Sequence, residues 1–104
     1  MNQIAAEREL VAESSEGVRF KLVMRIWIPQ SGPHDSWICA ACIDGLSHRP
    51  LEANGMDSMQ ALLLAIRNVR GQLERFVMHG GKLYLPGDED SGPMDVAELF
   101  SDSA

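Results

Sequence analysis

The sequence predicts an α+β fold: an antiparallel meander of three to four strands with one long helix packed across one face. Three observations predict it. Asp57 to Met78 has helical periodicity, Val18 to Ile28 alternates strictly, and turn-rich breaks separate short extended runs. With 104 residues and 45% hydrophobic content, the chain is long enough for one small domain. We place that domain at 1–85 and read 86–104 as an acidic C-terminal tail, partly disordered or carrying a short helix.

In chain order, Ile4 to Glu13 alternates as a strand, with Ile4, Ala6, Leu10 and Ala12 on one face and Glu7, Glu9 and Glu13 on the other. Arg8 interrupts the apolar face and belongs near its edge. Ser14 to Gly17 is a turn by composition. In the next strand Val18, Phe20, Leu22, Met24, Ile26 and Ile28 face one way, and Arg19, Lys21, Val23, Arg25 and Trp27 the other. Requiring the apolar faces to coincide pairs Ala12 with Phe20 and Leu10 with Leu22. The same register sets Glu13 opposite Arg19 and Glu7 opposite Arg25, pairs worth about 0.2–1 kcal/mol each.

Pro29 to Ser36 is a loop, and Trp37 to Asp44 a third strand with Trp37, Cys39, Ala41 and Ile43 facing inward. Gly45 to Arg49 turns the chain, and Pro50 to Ala53 is a short edge strand, where proline is tolerated. Asp57 then caps the helix by accepting from the amide of Gln60, and the Gln60 side chain reaches back. Met59, Leu62, Leu63, Ile66, Val69, Leu73, Phe76 and Val77 form the stripe expected to face the sheet. Arg67, Arg70, Gln72, Glu74 and Arg75 take the other side, and Gly80-Gly81 ends the helix. Lys82 to Leu85 adds a short strand or strap. Pro93 is well placed to open a short helix within Met94 to Phe100.

Charge is segregated along the chain. Of the fifteen acids, Asp88, Glu89, Asp90, Asp95, Glu98 and Asp102 follow Leu85, where there is no Lys or Arg. The remaining acids balance the nine basic residues, so the tail carries the whole net charge of −6. Such a tail repels nucleic acid and anionic membranes and is available to a basic partner. No apolar run is long enough to span a bilayer, and the first residues lack the pattern of a secretory signal. The expectation is a cytoplasmic protein.

Candidate chemistry is sparse. Cys39-Ala40-Ala41-Cys42 has the spacing of a redox pair or half a zinc site, with His34 and His48 in flanking loops. An odd offset along a strand sends the two thiols to opposite faces, so packing cysteines are the expectation. Arg19, Lys21, Arg25 and Trp27 would make a single-strand nucleic-acid platform but for the glutamates placed beside them. No nucleophile–base motif and no phosphate-cradling glycine loop is present. We therefore expect no enzyme, no cofactor and no metal.

Glu7-Arg8-Glu9-Leu10, Trp37-x-Cys39, Ile43-x-Gly45-Leu46 and Gly55-x-Asp57-Ser58-x-Gln60-Ala61-Leu62-x-Leu64-Ala65 together give the chain a likeness. It resembles a family of small uncharacterised bacterial proteins, a domain of unknown function. That resemblance supports the fold and a bacterial origin and implies no activity. The helix start is also similar to one seen in immunity proteins of bacterial toxin systems, a likeness confined to residues 55–65.

The function expected is that of a non-catalytic interaction module, in its sharper form an immunity-type protein neutralising a basic effector. Asp88, Glu89 and Asp90 of the tail, or Val23, Trp27 and Ile38 on the uncovered sheet face, would make the contact. The alternative is a structural homodimer burying that sheet face, and behind it a zinc or redox protein using Cys39 and Cys42.

Overall fold

A computed structural model of the chain describes residues 3–47 and 49–101. Strands β1 (Ile4–Glu13) and β2 (Arg19–Trp27) form a hairpin in the register that both faces demanded, including Leu10 opposite Leu22 and Glu7 opposite Arg25. Strand β3 (Gln30–Ser31) follows the Ile28-Pro29 bend, and β4 (Trp37–Asp44) and β5 (Leu51–Gly55) form a second hairpin. Helix α1 (Ser58–Met78), strand β6 (Lys82–Tyr84) and the short helix α2 (Val96–Leu99) complete the described chain.

The sheet is wider than the three to four strands expected: six strands pair among the described residues, in the order β3–β4–β2–β1–β6 with β5 also on β4. The pairings show how this is built. Ala41 faces Ile26 on one side and Leu51 on the other, and Ile38 likewise faces Gln30 and Asn54. So β3 resumes the β2 line along one edge of β4, and β5 takes the other edge. Nor is the sheet a simple meander. After α1 the chain crosses to the far edge, where β6 pairs with Val11 to Glu13 of β1.

The core lies between the sheet and α1. Leu10, Ala12, Leu22, Cys39, Ala41 and Ile43 point into it from the strands, all fully buried. From the helix come Ala61, Ala65, Val69 and Leu73, with Leu62, Leu64 and Phe76 packed beside them. This corrects the expected stripe: Met59, Leu63 and Val77 are exposed instead. The two alanines let the helix axis come close to β4 and β5, and the helix rotates to present them. Gln72, expected outside, is half-buried.

Asp57 Oδ1 accepts from Gln60 N at 2.7 Å, as expected of the cap. The return contact goes to Met56 N, 2.6 Å from Gln60 Oε1, one residue earlier than the usual box. At the other end Gly81 N donates to Phe76 O at 3.0 Å across Gly80, whose φ of +98° only glycine adopts readily. Asp57→Ala is expected to cost about 1 kcal/mol, read as a lower denaturation midpoint with an unchanged denaturant slope.

The segment after Leu85 is held to the body. Met94 N donates to Leu83 O at 2.8 Å, α2 lies within the expected Met94 to Phe100 but starts at Val96 with Asp95 as its N-cap and not at Pro93, and Val96 and Leu99 are core residues. Arg8 Nη1 reaches across from β1 to Leu99 O at 2.8 Å. No helix is long and apolar enough to cross a membrane, among the described residues.

Candidate functional site

The uncovered sheet face is a lattice of ion pairs. Arg19 meets Glu13 at 2.9 Å, Lys21 meets Glu9 at 2.6 Å, and Arg25 is shared between Glu7, at 2.6 Å, and Asp44. The hydrogen bond that Arg19 donates to Glu13 raises its guanidinium above the ordinary pKa, and those that Arg25 donates to Asp44 and Glu7 do the same for Arg25. Exposed pairs of this kind stabilise little one by one. Their effect here is to neutralise the cations and lay long side chains over the face. Val23, Trp27 and Ile38 lie among them, half-buried on this side of the sheet.

Cys39 is buried in the core with Sγ 3.2 Å from Trp27 O, whereas Cys42 lies on the other face beside Arg25 and Asp44. Burial pushes both thiols up. Side chains on opposite faces of one strand cannot share an ion or a disulfide with each other. His48 lies outside the described residues. No group of three or more metal-ligating side chains occurs among the described residues.

Asp88 to Asp90 enter a 3-10 turn in which Ser91 Oγ donates to Asp88 Oδ1 at 2.7 Å. No salt bridge is made by Asp88, Glu89, Asp90, Asp95 or Glu98 among the described residues. Glu89 contributes only to the field at Arg19. Glu7, Glu9, Glu13 and Glu74 of the body are thus spent on arginines and lysine, and the carboxylates of the C-terminal segment are not.

The most open apolar surface lies on the helix side. Five strands side by side span roughly 19 Å at about 4.8 Å each, while one helix covers about 10 Å. α1 lies over β4 and β5, and four-residue α2 covers only part of the remainder. The inner face at the start of β1 and the end of β2 is therefore left open. Ile28 is 43% exposed there, and across from it on α1 Met59 is 69% exposed, with Leu63, 59% exposed, one turn further on; Ile4, set opposite Trp27 by a bulge in β1, belongs to the other face. A cleft lined by Ile28, Trp37, Met59 and Leu62 runs beside the start of α1. A second, lined by Ala6, Ile26, Val69, Leu99 and Phe100, continues the same flank toward α2. Met56, 83% exposed, extends the apolar row past the helix cap.

Sequence reasoning placed Met59 and Leu63 inside and so missed this groove. The signal was present. Met59 to Ile66 is apolar on nearly every side of the helix except at Gln60, more than one sheet-facing stripe can absorb.

Residues 6–95 match the family model described as Domain of unknown function (DUF6968). No curated protein and no solved structure matches the chain.

Proposed function

The chain belongs to DUF6968, a family of uncharacterised, mostly bacterial proteins, and from that premise we propose that it is a non-catalytic protein-interaction module. The observation that carries this reading is the pair of exposed apolar residues Met59 and Ile28 lining the open groove beside α1, with Met56 and Leu63 exposed near the same end of the helix. Grouped exposed apolar residues of this kind mark docking surfaces, because leaving them in water costs free energy that a partner removes. A groove between a helix and an open sheet face takes an amphipathic helix.

The partner we propose is basic. At α2 Asp95 and Glu98 are exposed and make no salt bridge among the described residues, and Asp88 to Asp90 stand on the turn that precedes it, on the side of Arg19. A partner whose apolar stripe is flanked by Lys or Arg would satisfy both surfaces at once. In its sharper form this is an immunity-type protein that neutralises a basic effector. The sheet face around Val23, Trp27 and Ile38 suits docking less well, because burying it would desolvate the ion-pair lattice laid over it.

The test is affinity capture from a bacterial lysate using the native chain beside Leu63→Glu. Leu63 is 59% exposed, so the substitution should change stability by no more than about 0.5 kcal/mol. At the centre of an interface it should cost about 2 kcal/mol or more, roughly a 30-fold loss of affinity. A basic protein held by the native chain and lost with Leu63→Glu supports the reading. Equal retention overturns the groove. No capture, together with a dimer on sedimentation that Leu63→Glu dissolves, assigns the surface to a second copy.

A further inference from the structure

We propose that the cleft at the C-terminal half of α1 binds a small organic anion, a carboxylate or phosphate joined to an apolar body. This cleft lies toward β5 and the β4–β5 turn, apart from the groove, and has a volume of about 680 Å³. That is within the roughly 300–1,000 Å³ of small-molecule sites. Its apolar wall is Leu46, Leu51 and Phe76; Arg49 and Arg75 supply the charge, and Gln72 and His79 supply hydrogen-bonding groups.

The charge balance is the first argument. The chain carries −6, yet among the described residues no Asp or Glu lines this cleft. Arg19, Lys21, Arg25 and Arg70 are engaged in salt bridges, and Arg8 is bonded to Leu99 O. Arg49, Arg67, Arg75 and Lys82 make no salt bridge among the described residues, and of these Arg49 and Arg75 meet at the same opening. Two unpaired guanidiniums over an apolar wall match the fork geometry that carboxylate and phosphate oxygens accept. The helix C-terminus opposes an anion with about half a charge; two full charges outweigh it.

Two hydrogen-bonding observations are independent of charge. Gln72, on the cleft wall, has both Nε2 and Oε1 buried and without a hydrogen bond among the described residues. Buried amides are nearly always paired, so this one holds a donor and an acceptor in reserve. His79 Nδ1 lies 2.7 Å from Arg75 O. A carbonyl only accepts, so Nδ1 donates, and Nε2 of the neutral ring is an acceptor that the O–H of a singly ionised phosphate can meet and a carboxylate cannot.

The experiment titrates decanoate, decyl phosphate, decan-1-ol and inorganic phosphate into the full chain, below micelle-forming concentrations, followed by backbone amide shifts. Decanoate or decyl phosphate should saturate shifts at Ser47, Arg49, Gln72 and Phe76, at least 10-fold more tightly than decan-1-ol. Whichever of the two binds more tightly identifies the headgroup. The double variant Arg49→Met with Arg75→Met keeps stem volume and should weaken the anions at least 10-fold while preserving the amide spectrum. If that variant loses dispersion, Arg75→Gln alone should still weaken them several-fold. Equal binding of the alcohol and the anions overturns the proposal, as does affinity unchanged in the variants. Inorganic phosphate binding as tightly as decyl phosphate overturns the apolar half. Shifts confined to Met59 and Leu63 would assign all binding to the groove and overturn the site.

Discussion

Removing everything after Leu85 is expected to unfold the domain. The segment is acidic, yet Val96 and Leu99 are only 8% and 6% exposed, and Met94 and Phe100 pack against the same core. Burial of a Val or Leu side chain stabilises by about 1.5–3 kcal/mol. Losing these two together with the partial cover from Met94 and Phe100 comes to about 5 kcal/mol. A small domain has a net stability of about 5–15 kcal/mol. Truncation also removes the Leu99 carbonyl that Arg8 Nη1 reaches and the amide of Met94 that pairs with Leu83 O. Thermal unfolding followed by near-ultraviolet dichroism of Trp27 and Trp37 is the measurement. A cooperative transition within a few degrees of the native one would overturn the docked segment. Leu99→Ala is the milder companion, with a cost of about 2–4 kcal/mol. The consequence for function is practical: the role of Asp88, Glu89 and Asp90 has to be tested by Asp88→Asn, Glu89→Gln and Asp90→Asn, because deletion reports on folding.

The parts of this fold that were legible in the sequence are those where two independent requirements name the same offset. In the β1–β2 hairpin the apolar face and the charged face each select Leu10 opposite Leu22 and Glu7 opposite Arg25. The helix cap was legible because Asp57 and Gln60 are local. Helix rotation was not. From Met59 to Ile66 the helix is apolar on nearly every side, and weighting large side chains over Ala61 and Ala65 put Met59, Leu63 and Val77 inside beside Leu62, Val69, Leu73 and Phe76, which do pack there. The alanines win because a small residue lets the helix axis approach the sheet, which the whole length of α1 benefits from. The groove follows from the same fact, since the large residues displaced from the interior are the ones that line it. The partner of β6 is a long-range matter: three residues, Lys82 to Tyr84, carry no mark of which edge they join. The docking of α2 was hidden by composition, because the carboxylates around Val96 and Leu99 dominate any window that contains them.

Gly55→Ala should be nearly as damaging as truncation, for one added methyl. Gly55 ends β5 opposite Trp37 and is buried where the strand meets the first turn of α1. A Cβ there would lie 2.5 Å from Ala61 N, 2.9 Å from Ala61 Cα and 3.0 Å from the Gln60 carbonyl carbon. All three are backbone atoms, so no rotamer change relieves the contact. The turn is also held from both sides by the Asp57–Gln60 and Met56–Gln60 hydrogen bonds. Either β5 parts from β4 at its end or α1 lifts from the sheet, and the cost is about 2–4 kcal/mol. For a domain of this size that lowers Tm on the order of 10–20 °C. Gly71→Ala is the matched control. There the nearest atom to an added Cβ is Arg75 Nη1 at 3.9 Å, and replacing a helical glycine should raise stability by about 0.5–1 kcal/mol. Opposite signs from the same chemical change would show that the approach of β5 to α1, and not glycine content, sets the stability of this corner. The corner also carries Met56 and Met59, so a Gly55→Ala chain that remains folded should bind a groove partner more weakly than the native chain, with Met59 itself untouched.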